Sequence, residues 1–378
     1  MFKVVSAVVF LWVAIWGHSQ AADLRPVVWD GFAYPFKANS PTRCDASINP
    51  SCEIYSDEAY QARFWNKLQS IKDNKFKFVS WNEESGESLH VAVSIGLEWN
   101  LKGGGSEPDV YYFCANVLLY NASETLALVN STANCWQQRV GIAEKTNWQG
   151  FLRGFLYADP NPAAQTVEKR LLAEIAEIIS SKPGDLVRIT VRNVTSQLDL
   201  FKSEPRKRDL LGLYASELFS AYISTGLGRP VIPASSNTGL LDLRFADGER
   251  KSLVSLPLAS HWVDLHIHPF GKDVYKDNLG LKYERAAAFM RVNHEFVDGS
   301  SSLPNINFGT TTVPRRVYDD LPPELDELKN LNLLNQLISE TAAQLSKPDK
   351  EWLKAHVIKA SSDKVFPGLE ALSRDLKR

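Results

Sequence analysis

Leu89-His90-Val91-Ala92-Val93-Ser94-Ile95-Gly96-Leu97-Glu98-Trp99-Asn100-Leu101 places seven apolar side chains at every second position, with small or polar ones between them. Side chains alternate faces along a strand, so this period predicts a long β-strand. One face would lie on a core and the other, carrying His90, Ser94 and Glu98, in water. Gly103-Gly104-Gly105-Ser106 then predicts a flexible turn, and Asp109 to Tyr120, rich in Tyr, Phe, Val and Leu, a second strand that folds back as an antiparallel hairpin. A third strand is expected over Thr125 to Asn130, after the polar Asn121-Ala122-Ser123-Glu124. A connection symmetric about Glu124-Thr125 puts residue 114 opposite residue 135.

Helical periodicity flanks these strands. In Ala164 to Ser180, Leu171, Leu172, Ile175, Ile178 and Ile179 form one stripe, ended by Lys182-Pro183-Gly184-Asp185. Asp57 to Ile71 carries Phe64, Trp65, Leu68 and Ile71 on a shorter amphipathic helix between expected strands at Val27 to Phe36 and Lys75 to Trp81. After Pro183-Gly184 the same order starts again. A strand at Leu186 to Val194 is followed by a helix at Leu210 to Thr225 and strands at Arg229 to Ala234, Trp262 to Tyr275 and Ala286 to Val297, closing with a helix at Leu325 to Leu345. Matching elements are offset by roughly 150 to 175 residues, an ordinary domain length.

The expectation is an α+β protein of two tandem similar domains, each a mixed or mainly antiparallel sheet with helices packed on one face. They would span residues 22–182 and 185–347. A tail at 348–378, with Trp352, Leu353, Val357 and Ile358, would add a short docking helix, and Glu204-Pro205-Arg206-Lys207-Arg208-Asp209 reads as a solvated basic connector.

Ahead of all this, Lys3 precedes an apolar run from Val4 to Trp16, and Gly17-His18-Ser19-Gln20-Ala21 supplies small residues for a signal peptidase. Residues 1–21 therefore read as a cleavable signal peptide, its apolar run shorter than the ~20 residues a spanning helix needs. No later stretch is apolar enough to insert in a membrane, and the expected location is the periplasm or the exterior. The formal charge of −2, 44% apolar and 23% charged residues describe an ordinary globular protein, with nothing that suggests nucleic acid or an anionic membrane as partner.

An exported chain with four cysteines, all in its first third, is expected to hold two disulfides. Loop closure favours Cys44 with Cys52, across a turn-rich loop, and so Cys114 with Cys135. The spacing lacks the C-x-x-C knuckles of a four-thiolate zinc site. Asn121-Ala122-Ser123, Asn130-Ser131-Thr132 and Asn193-Val194-Thr195 fit glycosylation acceptors.

The chemically loaded cluster is His261-Trp262-Val263-Asp264-Leu265-His266-Ile267-His268-Pro269. On a strand Asp264, His266 and His268 project from one face, adjacent pairs about 6–7 Å apart. A His-x-His pair would bind one zinc if His294 or Glu295 on the next expected strand supplied a further ligand. The plainer reading makes these residues the wet face of a half-buried strand, opposed by Arg291, Asn293 and Glu295 as cross-strand polar pairs. Gly-x-Ser-x-Gly, Gly-x-x-x-x-Gly-Lys and His-Glu-x-x-His are absent, and Ser361-Ser362-Asp363-Lys364 matches S-x-x-K only in a polar tail. Trp29, Trp81, Trp99 and Trp136 lie in or beside expected strands, where rings pack in cores or stack on sugars and peptides.

Two resemblances bear on function. Asp264-Leu265-His266-Ile267-His268-Pro269 is similar to the D-x-H-x-H that opens the barrel of amidohydrolase and polymerase-histidinol-phosphatase enzymes. It sits two-thirds along the chain, however, where those barrels need it on their first strand with some 200 residues beyond. The element order of each half resembles small periplasmic domains of bacterial envelope-assembly proteins, the type of the curli-secretion lipoprotein, the N-terminal domain of the translocation protein TolB and flagellar ring accessory proteins. This chain lacks the lipidated cysteine and membrane-spanning hairpin found among them. What that second resemblance implies is a non-catalytic envelope protein without cofactor, single or homo-oligomeric, that binds or assembles other proteins through an exposed strand edge. The alternatives are a metal-dependent hydrolase using His266 and His268, and a binder of cell-wall sugar or peptide.

Overall fold

The alternating stretch is a strand, but its two ends bury opposite faces. In this computed structural model the described residues are 24–35, 50–73, 75–79, 88–102, 108–121, 127–158, 165–180, 187–198, 205–229, 231–232, 240–245, 250–254, 259–301, 303–316 and 323–378. The expected signal peptide, Cys44, Trp81, the Gly103-Gly104-Gly105-Ser106 turn and the division at Pro183-Gly184 lie outside them.

The first part of the chain forms β1 (Arg25–Pro35), α1 (Cys52–Tyr55), α2 (Glu58–Gln69), β2 (Phe76–Val79), β3 (Leu89–Leu101), β4 (Asp109–Asn121), β5 (Leu128–Val140), α3 (Ile142–Thr146), α4 (Trp148–Arg153) and α5 (Val167–Ser180). The rest forms β6 (Ile189–Ser196), α6 (Pro205–Leu227), β7 (Leu240–Phe245), β8 (Arg250–Val254), β9 (His261–Ile267), β10 (Gly271–Lys276), β11 (Lys282–Phe296), β12 (Leu303–Thr311), β13 (Arg315–Arg316), α7 (Pro323–Ser346), α8 (Lys350–His356), β14 (Val357–Ile358) and α9 (Ser362–Leu376). The architecture is α+β with two mixed sheets. Sheet 1 runs β5-β4-β3-β1-β7-β8 with β2 beside β1, and sheet 2 runs β14-β12-β11-β9-β6 with β10 and β13 on β11.

The two sheets repeat one pattern. β1 lies parallel to β3, which continues antiparallel through β4 and β5; β6 lies parallel to β9, which continues antiparallel through β11 and β12. Even the irregularities match. A bulge in β1 skips Asp30 in the register between Trp29 and Gly31, and a bulge in β6 skips Arg192 between Val191 and Asn193. Gly31, at φ +99°, takes a conformation that other residues rarely adopt.

The layers stack head to tail. One face of sheet 1 packs Val91, Val93, Ile95, Phe113 and Val117 against α2 and α5, where Asp57 caps α2 by accepting from the Tyr60 backbone N–H at 2.9 Å. Glu168 of α5, buried, accepts from Arg63 and Lys67 of α2 and ties those helices together. The opposite face of sheet 1 packs Leu97, Trp99, Leu101 and Tyr112 on α6 and α7, whose other side covers Val263, Leu265, Met290 and Val292 of sheet 2. Sheet 1 is thus covered on both faces and sheet 2 on one.

Leu97, Trp99 and Leu101 change sides because Gly96 is an extra residue. Ile95 pairs with Ala115, whereas Leu97 pairs with Cys114, so the odd-numbered positions of β3 cross to the other face at Gly96. His90, Ser94 and Glu98, expected in water, are buried. The covering of both faces corrects that expectation: a strand in the middle of stacked layers has no wet side.

Other boundaries shift for local reasons. The basic segment read as a connector starts a helix, with Pro205 at its first position, where a missing N–H costs nothing. The expected long strand Trp262 to Tyr275 is two strands, broken at His268-Pro269-Phe270. From beyond the expected division at 182–185, β7 pairs with β1 and β8 with β7, and the two complete sheet 1.

Candidate functional site

Asp264, His266 and His268 share the uncovered face of sheet 2, as their alternation with Val263, Leu265 and Ile267 predicts. Opposite them on β11 stand Asn293, paired with Asp264, and Arg291, paired with His266; Glu295 pairs with Trp262. His294 is corrected. It has the parity of Met290 and Val292, lies fully buried beneath the sheet, and meets His261 at 3.1 Å, so it cannot join the other two imidazoles. Burial, with His261 adding to it, holds the His294 imidazole down at about 4.

The carboxylates on the open face are already engaged. Arg192 donates through Nε at 3.0 Å and through Nη2 to Asp264, and through Nη2 at 2.8 Å to Glu295. His266 Nδ1 is hydrogen-bonded to Thr195 Oγ1, and its ring meets His268 edge-on at 4.7 Å. Among the described residues no three His, Cys, Asp or Glu side chains converge to hold a metal ion. The face instead forms an open depression of ≈ 220 Å³ over β6, β9, β11 and β12, lined by Thr195, His266, Arg291, Asn293 and Asn305.

A second feature lies on the free side of β5. β5 pairs with β4, and no described strand pairs with its other edge. There Ala133, Asn134, Cys135 and Trp136 meet Arg170 of α5 and Leu218, Ala221, Tyr222 and Thr225 of α6 around a groove of ≈ 470 Å³. Helices from both faces of sheet 1 therefore wall the edge of one strand. Tyr222 is 43% exposed, large for an aromatic ring. The matching edge of sheet 2 is covered at its centre: Asn307 and Phe308 of β12 pair with β14, a short strand of the chain's own tail.

The cysteine register holds, since Cys114 and Cys135 are directly opposite on β4 and β5 with their sulfurs at disulfide distance. Cys52 is buried on α1, and its expected partner Cys44 lies outside the described residues. Trp29 packs on Phe32 and Phe64, and Trp99 stacks on Tyr112, so both are core rings; Trp136 reaches the groove. Asn130 is buried, which removes it as a glycosylation acceptor, whereas Asn193 is exposed.

Sequence reading missed the buried polar groups of sheet 1. Asp30 accepts from Lys251 Nζ at 3.1 Å and from Tyr120 Oη, and lies 2.9 Å from His90 Nδ1; His90 Nε2 stands 3.4 Å from Ser88 Oγ. The order serine, imidazole, carboxylate is that of nucleophilic hydrolases. Here Ser88 is 1% exposed and Asp30 is also bound to a lysine, so the cluster ties β1, β3, β4 and β8 together and presents no nucleophile to solvent. Glu98 accepts from Ser51 N and Oγ, each at 2.7 Å, and from Tyr111. Glu217 of α6 accepts from Asn116 at 3.1 Å. Burial pushes both carboxyls up to about 7. The period-2 pattern placed Glu98 on a strand, but only the layer above it reveals its burial.

No protein-family model matches the chain, and a search of the curated proteins finds no significant match.

Proposed function

We propose that the protein is a non-catalytic binding or assembly factor that captures an extended segment of a partner protein along the free edge of β5. One observation carries this reading: the edge that β14 partly covers in sheet 2 is paired by no described strand in sheet 1 and floors a groove between α5 and α6. An open edge offers a row of N–H and C=O groups, each main-chain bond worth roughly 0.5–1.5 kcal/mol net. The groove supplies what a bare edge lacks. Trp136, Tyr222, Leu218 and Ala221 would receive alternate side chains of the added strand and set specificity.

The resemblance in element order to envelope-assembly domains supports an exported factor of the cell envelope, in the periplasm or beyond. The Cys114–Cys135 pair supports an oxidising compartment, and among the described residues no helix is long and apolar enough to cross a membrane. A library of linear 12-residue peptides displayed on phage provides the test. Selected peptides should shift the amide resonances of Ala133 to Gln137 and lose binding in Thr225→Trp, which fills the groove from an exposed position. Peptides that shift only resonances elsewhere, or bind Thr225→Trp unchanged, would refute the edge as the binding site.

A further inference from the structure

The open face of sheet 2 carries Arg291, an arginine that forms no ion pair among the described residues. Arg192 is shared by two carboxylates of the face, Asp264 and Glu295, and Arg285 pairs with a third, Asp273. Arg291, next to His266 on the adjacent strand, has no carboxylate within ion-pair distance among the described residues. On its other side Arg291 pairs with Asn307 of β12, whose side chain is hydrogen-bonded to His268. Lys359, just beyond β14, adds a further positive charge near His268. Arginine, the His266 imidazole and asparagine amides thus line one shallow depression, and the His268 ring stands edge-on to His266 at 4.7 Å.

We propose that this depression is a binding site for a small oxyanion, a phosphate or sulfate group, seated on Arg291 between His266 and His268. Arginine presents a planar fork of donors matched to such oxygens. Thr195 occupies Nδ1 of His266, which leaves Nε2 as the ring atom available to the ligand. Asn293 and Asn305 line the rim and carry amides that donate without adding charge. Asp264 also borders the site, but the two bonds from Arg192 hold its carboxylate.

The site is built to respond to pH. Burial lowers the affinity of His266 and His268 for protons; His268 and Arg291 lower it further at His266, and Arg291 and Lys359 do so at His268, where the Asn307 hydrogen bond works against them. The charged groups facing these rings are Arg291 from β11, Lys359 after β14, and Asp264, which shares Arg192 of β6 with Glu295 and leaves that trio one negative charge in excess. A bound oxyanion adds negative charge beside the rings and raises both imidazoles, so by linkage protonation strengthens binding.

Sulfate is the decisive probe, because its charge stays constant over the range. Titration calorimetry with the full chain should show sulfate binding at least tenfold tighter at pH 5.5 than at pH 7.5. Arg291→Gln should abolish it at both, and the double substitution His266→Gln, His268→Gln should remove the pH dependence while leaving weak binding at pH 7.5. Asn293→Asp, a surface change that brings a negative charge to the rim, should reproduce the loss with the circular dichroism unchanged. No sulfate heat at pH 5.5 and millimolar concentration, or equal binding by Arg291→Gln, would overturn the proposal. Glycerol phosphate and phosphatidylglycerol vesicles then separate a soluble phosphate ester from a lipid headgroup: retention of the protein by vesicles, lost in Arg291→Gln, assigns the headgroup, and binding of the soluble ester alone assigns the free phosphate.

Discussion

Asp30 and Arg192 occupy the same place in the two sheets, the extra residue of a bulge in the strand parallel to the start of the meander, yet they live in different solvents. Asp30 lies between layers, its carboxylate shared by His90, Tyr120 and Lys251. Arg192 lies on the surface and gathers Asp264 and Glu295. The same backbone device therefore serves as an internal brace when another layer covers the sheet and as part of a ligand-facing surface when none does. Stacked modules need a polar last face to remain soluble, as terminal repeats do in solenoids. Sheet 2 supplies that face.

The largest test of this contrast is removal of the two central charges. Asp30→Ala should cost about 3–5 kcal/mol, because it removes the buried carboxylate that His90, Tyr120 and Lys251 share. Chemical denaturation of both variants measures the difference. A loss below ~1 kcal/mol for Asp30→Ala would mean that the first cluster is as wet as the second.

Next in size are the buried carboxyls of sheet 1. Glu98 and Glu217 bind protons more tightly in the folded chain than unfolded, where a glutamate titrates near 4.5. Their stabilisation is complete below that value and is lost as pH rises towards about 7, by roughly 3 kcal/mol each at most. His294 works in the opposite sense, costing stability as pH falls from 6.5 to about 4. Denaturation midpoints of Glu98→Gln and Glu217→Gln should each fall less steeply between pH 5 and 7.5 than those of the parent chain; parallel curves would show that neither carboxyl carries its proton into the neutral range.

Gly96→Ala tests why the strand crosses over. A Cβ there would sit 3.0 Å from Glu217 Oε1 and 3.2 Å from Asn116 Nδ2, both held in the layer between sheets. About 1–3 kcal/mol of destabilisation is expected, with the Glu217 hydrogen bond displaced. An unaffected melting temperature would mean that α6 yields easily at this point. The smallest effect belongs to Arg192→Ala, about 1 kcal/mol or less and reduced by salt, since its partners remain hydrated.

The sequence pattern reached some of this and missed the rest for identifiable reasons. The alternation around Ile267 named both the strand and its open face, because one side of that strand meets water. The same alternation around Ile95 named the strand but misassigned its faces: inserting Gly96 as a bulged residue keeps the apolar residues at every second position in sequence while switching them in space. His294 was misplaced although its parity with Met290 and Val292 marks it as core. β12 went unrecognised because Pro304, Asn305 and Gly309 look like loop residues, Asn305 taking a positive φ of 53°. β7 and β8 escaped because the strand that stabilises them lies at the opposite end of the pattern. Neither the groove at β5 nor the Arg291 cluster has a linear motif, as each is assembled from strands and helices far apart in the chain.

The reach of β7 back to β1 has a consequence for the order in which the protein is made. Asp30 must await Lys251, 221 residues later, before its charge is answered. A chain delivered from its N-terminus will hold β1 with an unfinished border through most of synthesis or export. Such delayed closure favours slow folding and prolonged dependence on chaperones. A fragment ending near residue 182 would retain that border permanently, and should aggregate where the whole chain does not.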